Sequence, residues 1–370
     1  MYRLARSLLF LLPAETAHLL GVWALSLLDG LPTVARLLRR RALRATAPSL
    51  RVSIAGLSFE HPIALAAGLD KDAEAIAGLF AVGFSAVEVG TVTPRPQPGN
   101  PTPRLFRLPE HQALINRMGF NNHGAAAAAS RIRELRFRPG PVGVNIGKNK
   151  QTPLIEATAD YLACARAVSE GADYLVINAS SPNTPGLRQL QEPEALAQLL
   201  RAVRDQVPDK PLFLKIAPDL APEAVDAIVD VALGCGIDGL VVTNTTLTRP
   251  LEDSAPADPK GAVAEAGGLS GAPLKALSTA VIRRAWARSS GRLPIIGVGG
   301  VFTAEDAYEK IRAGAAVVQI YTSFIYAGPS VVRNLVSGLA ALLARDGFGS
   351  VGDAVGADAI ASRSPPTAQR

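Results

Sequence analysis

The chain has 370 residues, 48% of them hydrophobic, and a formal net charge of +6. That length supplies a large buried core and allows one to three domains. Cys164 and Cys235 lack any ligand spacing, and His18, His61, His111 and His123 form no HExxH, which argues against a disulfide framework or a structural metal and for free thiols in a reducing compartment.

Residues 1–48 hold seven arginines against Glu15 and Asp29, so +5 of the charge sits there and the remaining chain is almost neutral. This distribution speaks against a nucleic-acid surface and for a local anionic partner such as lipid headgroups. The longest uncharged run of the segment, Thr16 to Leu28, has thirteen residues, short of the roughly 20 needed to span a bilayer. No A-x-A cleavage site follows the apolar run Ser7–Leu12. The pattern predicts two short helices, broken at Pro13 and ended by Asp29-Gly30 and Pro32, with an arginine cluster behind them. Apolar residues on one side and arginines at the ends suit a pair lying in the membrane interface. The competing reading is a helical hairpin packed on its own domain.

From residue 60 onward one phrase repeats: a short β-branched run, a polar or glycine ending, then an Ala/Leu-rich helix pattern. The runs are PIALAAGLDK (62–71), SAVEVGTVTP (85–94), PVGVNIGKN (141–149), DYLVINASS (173–181), PLFLKIAP (211–218), DGLVVTNTT (238–246), LPIIGVGG (293–300) and AAVVQIYTS (315–323). Helices are predicted near 72–82, 123–135, 157–170, 193–206, 222–234, 273–287, 304–313 and 329–345. Eight such units predict a (β/α)8 TIM barrel in the α/β class, with a doubly wound sheet as the alternative. The long connections 95–124 and 247–270 read as lids, the second as mobile, and the tail 362–370 as disordered.

Active sites of this barrel form at the C-terminal ends of the strands. Those ends hold Lys71, Thr91, Asn145, Asn178, Lys215, Thr243 with Asn244, Gly299 with Gly300, and Tyr321 with Thr322. Asn and Lys are poor strand residues, so their recurrence describes a pocket of amides and two cations. GVGG (297–300), YTS (321–323) and GLSG (268–271) converge where this fold often binds phosphate. Lys215 is placed to stabilise negative charge on a reduced cofactor or an enolate, unless Glu88 inside the second strand pairs with it. In NASSPNTPGL (178–187) no G-x-S-x-G frames the serines and no histidine follows at a strand end, which argues against acyl transfer. A serine there can instead move a proton. The chemistry alone does not choose between Ser180 and Ser181.

The motifs AAGLDK (66–71), EVGTVTP (88–94), GNPTPRLFRLPE (99–110), INRMGFNN (115–122), NASSPNTPGL, LKIAPD (214–219), TNTT (243–246), GGLSG (267–271), IIGVGG (295–300) and QIYTSFIY (319–326) resemble those of class 2, quinone-dependent dihydroorotate dehydrogenases, over nearly the whole chain. The resemblance implies one FMN per chain, held by Ala67, Gly68, Lys71, Thr91, Asn145, Asn178, Lys215, Thr243, Gly271, Gly300, Tyr321 and Thr322. It implies dihydroorotate held by Lys71, Asn116, Arg117, Met118, Gly119, Phe120, Asn178, Asn183, Asn244 and Thr245, with Ser181 as the base. It further implies a membrane quinone passing His18, Arg107 and Tyr321, no metal, no nucleic acid, and a monomer on the cytoplasmic face of the cell membrane as a peripheral protein of pyrimidine (UMP) biosynthesis. The implied organisation is a membrane- and quinone-facing segment 1–48, an FMN barrel 49–361, and the tail. Thr322 departs from the expected serine, but its backbone N–H still reaches a phosphate. Serine rather than cysteine at the base position separates the chain from the class 1 enzymes. A catalytic cysteine and a broad basic surface, as in tRNA dihydrouridine synthases, are not seen in the sequence.

Overall fold

The computed structural model describes residues 2–43, 46–251 and 261–361. In chain order, α1 (Tyr2–Leu11), α2 (Ala14–Ser26) and α3 (Pro32–Ala42) precede a hairpin of β1 (Val52–Ile54) and β2 (Leu57–Phe59). Next come β3 (Ile63–Leu65), α4 (Ile76–Ala81), β4 (Val87–Val92), β5 (Leu105–Leu108), β6 (Ala113–Asn116), α5 (Ala125–Arg133), β7 (Val142–Ile146), α6 (Ala157–Val168) and β8 (Tyr174–Asn178). They are followed by α7 (Pro193–Gln206), β9 (Leu212–Ile216), α8 (Pro222–Gly234), β10 (Gly239–Val242), β11 (Gly268–Gly271), α9 (Lys275–Ser289) and β12 (Ile295–Val298). The chain continues through α10 (Ala304–Ala313), β13 (Ala315–Ile320), α11 (Thr322–Ala327), α12 (Ser330–Arg345), α13 (Val351–Ala354) and α14 (Ala357–Ala361).

Strands β3, β4, β7, β8, β9, β10, β12 and β13 pair in parallel in that order and close into a barrel. They coincide with the eight predicted runs, so the closed barrel holds and the open sheet does not. Almost every strand residue is buried because helices cover the outside and side chains fill the inside. Glycines make room for the bulkiest fillers: a Cβ on Gly143 would lie 2.1 Å from Tyr174 Cζ, and one on Gly239 2.5 Å from Phe213 Cε1. Those two rings meet edge-on at 5.5 Å. The first predicted helix starts later than its pattern, at Ile76, because the buried carboxylate of Asp70 accepts from the backbone N–H groups of Glu74 (2.8 Å) and Ala75 (2.9 Å).

Two regions differ from the sequence expectation. The predicted lids are tied to each other: β5, β6 and β11 form one antiparallel three-stranded sheet, with Gly268 opposite Asn116 and Ala113 opposite Gly271. Residues 252–260 of the second connection, and the tail 362–370, lie outside the described residues. The N-terminal segment contains three helices rather than two. Past the Asp29-Gly30 turn, Pro32 opens α3, whose last turn carries Arg39, Arg40 and Arg41; Pro at a helix start and cations at its end both favour helix.

These helices dock on the barrel. Arg39 is buried and donates to the carbonyls of Phe80 (3.0 Å) and Phe84 (2.7 Å) and to Glu60 (2.7 Å). Glu15 takes a forked ion pair from Arg104 at 2.7–3.2 Å. Asp29 accepts from Ala77 N–H at 2.9 Å, and Gly78 lets α2 approach so closely that a Cβ there would lie 2.3 Å from the Leu25 carbonyl oxygen. Yet the outward side stays apolar: Leu8 is 69% exposed, Trp23 61% and Leu37 67%. Docking and an apolar outer face therefore coexist. Among the described residues, no helix is long and apolar enough to cross a membrane.

Candidate active site

The strand ends surround a cavity that opens to solvent, the place where this fold binds its ligands. Its wall contains Ala67, Gly68, Lys71, Thr91, Asn178, Lys215, Thr243, Gly271, Gly300, Tyr321 and Thr322, all singled out from the sequence. Asn116, Met118, Gly119, Phe120, Asn183, Asn244, Thr245 and Ser181 also line it. The three-stranded sheet brings Asn116 and Ser270 over the opening, while Asn183 comes from the loop after β8; Asn183 donates to Asn116 Oδ1 at 3.1 Å.

Asn145 is not on the wall. It stands one layer deeper, where its Oδ1 accepts from Thr91 Oγ1 (2.5 Å) and Asn178 Nδ2 (3.1 Å), and its amide donates to Glu88 (2.9 Å). Glu88 also accepts from Gln319 Nε2 at 2.6 Å. Glu88 is thus held by two amides and makes no ion pair with Lys215; the lysine donates no hydrogen bond to a described residue and faces the cavity. Burial lowers Lys215 from the usual lysine range, and the charge of Glu88 opposes that shift. Lys71 donates to the Gly68 carbonyl at 2.6 Å and is pushed down to about 8, chiefly by burial.

The two serines separate in space. Ser180 is buried, accepts from Asn244 Nδ2 at 3.0 Å and donates to Asn178 Oδ1 at 3.2 Å. Ser181 lies on the cavity wall, and its hydroxyl accepts from Asn183 N–H at 3.3 Å. Geometry therefore offers Ser181, not Ser180, to a ligand.

Arg117 points away from the cavity, to Glu265 (2.5 Å) and the Ala266 and Pro103 carbonyls, with its guanidinium 4.6 Å over the Phe106 ring. His18 and Arg107 are also off the wall. Arg107 closes the end of α1, donating to the carbonyls of Phe10 (3.0 Å) and Leu12 (2.9 Å), 4.5 Å over the Phe10 ring. His18 is depressed to about 3, first by burial and then by the charge of Lys71, which puts α2 in electrostatic reach of the cavity. Tyr321 is pushed up to about 12 by burial.

Sequence reading assigns no role to Gln319 or Phe302, and Ser270 and Ser323 figure only within GLSG and YTS; all four line the cavity. Gln319 carried a signal, being a lone amide inside the apolar run AAVVQI. Its Oε1, and the Ser323 hydroxyl, are buried with no hydrogen-bond partner among the described residues. Such atoms are rare in folded proteins and suit a polar ligand that completes them. Gly271 (φ 105°) and Gly300 (φ 72°) hold left-handed backbone, and a Cβ would lie 2.2 Å from the Gln112 carbonyl oxygen on the first and 2.5 Å from the Lys275 backbone on the second. This is a backbone cradle that accepts only glycine. The residues present fit FMN: a cradle for a phosphate, and amides with a lysine for a flat heteroaromatic ring.

Fold and cavity together define a (β/α)8-barrel enzyme whose reacting groups stand on strand ends. A family model described as dihydroorotate dehydrogenase matches residues 49–343. The chain is 63% identical over 362 residues to the dihydroorotate dehydrogenase (quinone) of Myxococcus xanthus, covering 97% of this chain and 98% of that one. To the protein of the same name from Thermobifida fusca it is 51% identical, covering 96% of each. A crystal structure of the Eimeria tenella dihydroorotate dehydrogenase with ferulenol superposes with a TM-score of 0.81 at 41% identity, covering 88% of this chain and 95% of that one. The chain belongs to the dihydroorotate dehydrogenase family of FMN-dependent oxidoreductases, among its quinone-dependent members.

Proposed function

We propose that this protein oxidises dihydroorotate to orotate on bound FMN, with Ser181 as the base, and hands the electrons to a quinone that arrives between the N-terminal helices. The observation that carries the reading is that a single cavity is lined by two kinds of chemistry. One kind is glycine turns, Lys215 and the unpaired Gln319 and Ser323 atoms. The other is Ser181, Lys71 and the amides of Asn116, Asn183 and Asn244.

FMN, when bound, supplies a two-electron hydride acceptor. Gly271, Gly300, Tyr321 and Thr322 would hold its phosphate end. Ala67, Gly68, Lys71, Thr91, Asn178, Lys215 and Thr243 would hold its ring system, with Asn145 bracing Thr91 and Asn178 from behind. The Lys71 ammonium meets the carboxylate of dihydroorotate. The asparagines meet its amide and imide edges, because each side chain both donates and accepts. Asn244 binds that edge with one face and Ser180 with the other. Ser181 takes the proton from C5 as the hydride leaves C6. Lys215 opposes negative charge that builds in the cavity without the cost of rearranging solvent. Arg117, turned outward, orders the loop that carries Met118, Gly119 and Phe120 rather than touching substrate.

The apolar outer face of α1–α3 supports a peripheral seat on a membrane, the source of a lipid-soluble quinone. His18, Arg107 and Tyr321 mark the route from that face to the cavity, in which Arg107 acts by fixing the end of α1. We read residues 49–361 as the catalytic unit, residues 1–48 as the membrane- and quinone-facing unit, and the protein as a monomer on the cytoplasmic face. The test is turnover: purified protein should form one orotate for each quinone reduced. Orotate formation no greater than that of heat-denatured protein would sink the proposal.

A further inference from the structure

Behind the glycine cradle lies a cation for which the proposed reaction has no use. Lys310, on α10, is fully buried, and among the described residues no carboxylate pairs with its ammonium. The nearby acids Asp306 and Glu309 pair instead with Lys275, at 2.9 and 3.6 Å. Lys310 donates to two hydroxyls of α9, Ser278 Oγ and, at 3.1 Å, Thr279 Oγ1. An ammonium donates and cannot accept. Each hydroxyl must therefore send its own hydrogen onward. Thr279 donates to the Lys275 carbonyl at 2.9 Å, and Ser278 to the carbonyls of Lys275 (3.4 Å) and Gly299 (3.3 Å).

Gly299 lies on the cavity wall. Its carbonyl and the N–H of Gly300 belong to one peptide unit, and in a trans peptide they point in opposite directions. A bond that pins the Gly299 oxygen outward, toward α9, turns the Gly300 N–H inward, toward the cavity. The contact is tight: a Cβ on Gly299 would lie 3.0 Å from Ser278 Oγ, and one on Gly300 2.5 Å from the Lys275 backbone. A buried ammonium without a counter-ion is costly to the fold. An anion in the cradle supplies the missing charge.

We infer that Lys310 is a positioning residue for the anionic end of the cofactor: through Ser278 it aims the Gly300 N–H into the cavity, and its charge sets the preference for a flavin bearing a phosphate ester over the same flavin without one. This rests on the reading of that corner as a phosphate site. Burial pushes Lys310 down to about 7; Glu309 and Asp306 pull it up and Lys275 adds to the depression. Among the described residues these three are the charged groups that act on it. An incoming dianion raises it again, so the phosphate is bound together with a proton. The preference is then largest where the phosphate is already a dianion, above about pH 6, and Lys310 is still protonated, and it shrinks as the pH rises through about 7.

The test titrates the full-length chain, stripped of flavin by dialysis, with FMN and with riboflavin, following flavin fluorescence. In the parent, FMN should bind more tightly than riboflavin. In Lys310→Met, FMN should weaken by about tenfold, the factor that accompanies one unit of pKa change, while riboflavin stays as in the parent. If that variant does not fold, the parent decides alone: between pH 7 and pH 9 its FMN-to-riboflavin affinity ratio should fall. A parent that binds both flavins equally overturns the phosphate-site reading itself. A parent that prefers FMN, with a ratio unmoved by Lys310→Met or by pH, overturns the role of Lys310 and leaves the phosphate site standing.

Discussion

The side-chain amide of Asn244 donates to the hydroxyl of Ser180 at 3.0 Å, and so takes one of two adjacent serines out of play. The other, Ser181, is left facing the cavity. The two hydroxyls should respond in opposite ways to removal. Ser181→Ala should retain flavin and a parental melting temperature but lose ~10²–10⁴-fold in the rate of flavin reduction by dihydroorotate, the range for a general base. Ser180→Ala removes one acceptor from the half-buried Asn244 amide, which keeps Asn178 Oδ1 at 3.3 Å, and should cost ~0.5–1.5 kcal/mol of stability, with the smaller kinetic loss. Stopped-flow reduction and thermal melts on both variants check this; an unimpaired Ser181→Ala enzyme removes the base assignment.

Removal from water in the half-buried cavity wall pushes Lys71 down to about 8. Its ammonium is the form that holds a carboxylate, and a bound carboxylate raises its pKa. Affinity for orotate should therefore be constant below about pH 8 and weaken above it, by up to tenfold per pH unit until the liganded pKa is reached. Flavin absorbance titrations from pH 6 to pH 9 give the profile. Lys71→Met should bind weakly and without that slope.

Gly78, on α4, is a point of close approach between α2 and the barrel, and a methyl group there would meet the Leu25 backbone. Overpacking of this kind costs ~1–3 kcal/mol, here borne by the docking of the extension. Gly78→Ala should reduce its flavin with dihydroorotate at close to the parental rate but turn over a long-chain quinone several-fold more slowly. Equal losses in both half-reactions would contradict the division of labour between extension and barrel.

Asp29 ties the α2–α3 turn to Ala77 and is pushed up to about 7, chiefly by burial. Its folded pKa lies above the unfolded value, so between about pH 4 and pH 7 the folded state binds the extra proton and stability falls as pH rises. The extension should be released more readily by a protease at pH 8 than at pH 5. In Asp29→Asn, which keeps an acceptor for Ala77 and has no charge to bury, the difference should vanish.

The barrel was legible because buried parallel strands are continuous apolar runs, and the polar residues that close them stood out against that background. Thr91, Asn178, Lys215 and Thr243 were visible for this reason. The three-stranded sheet was not. LFRL and ALIN are four residues long within a polar connection, and GLSG has no β-branched residue; its strand conformation comes from pairing with β6, some 150 residues earlier in the chain. The third N-terminal helix hid behind its arginines, of which Arg39 turned inward to bind Phe80 and Phe84 rather than outward to lipid. Asn145 was read as a wall residue because a strand end says nothing about layer, and here Thr91 and Asn178 stand between it and the cavity. The choice between Ser180 and Ser181 falls after β8 ends, where alternation no longer assigns a side; family resemblance pointed to Ser181, and the neighbouring loop supplies the physical reason.

The central claim is that the cavity holds a flavin which dihydroorotate reduces. The absorbance spectrum of the purified protein, taken anaerobically before and after adding dihydroorotate, tests it most directly. The account predicts a yellow protein with about one FMN per chain, bleached by dihydroorotate and restored by a quinone. A colourless protein that gains no flavin on adding FMN, or a flavin spectrum unmoved by dihydroorotate, would contradict it.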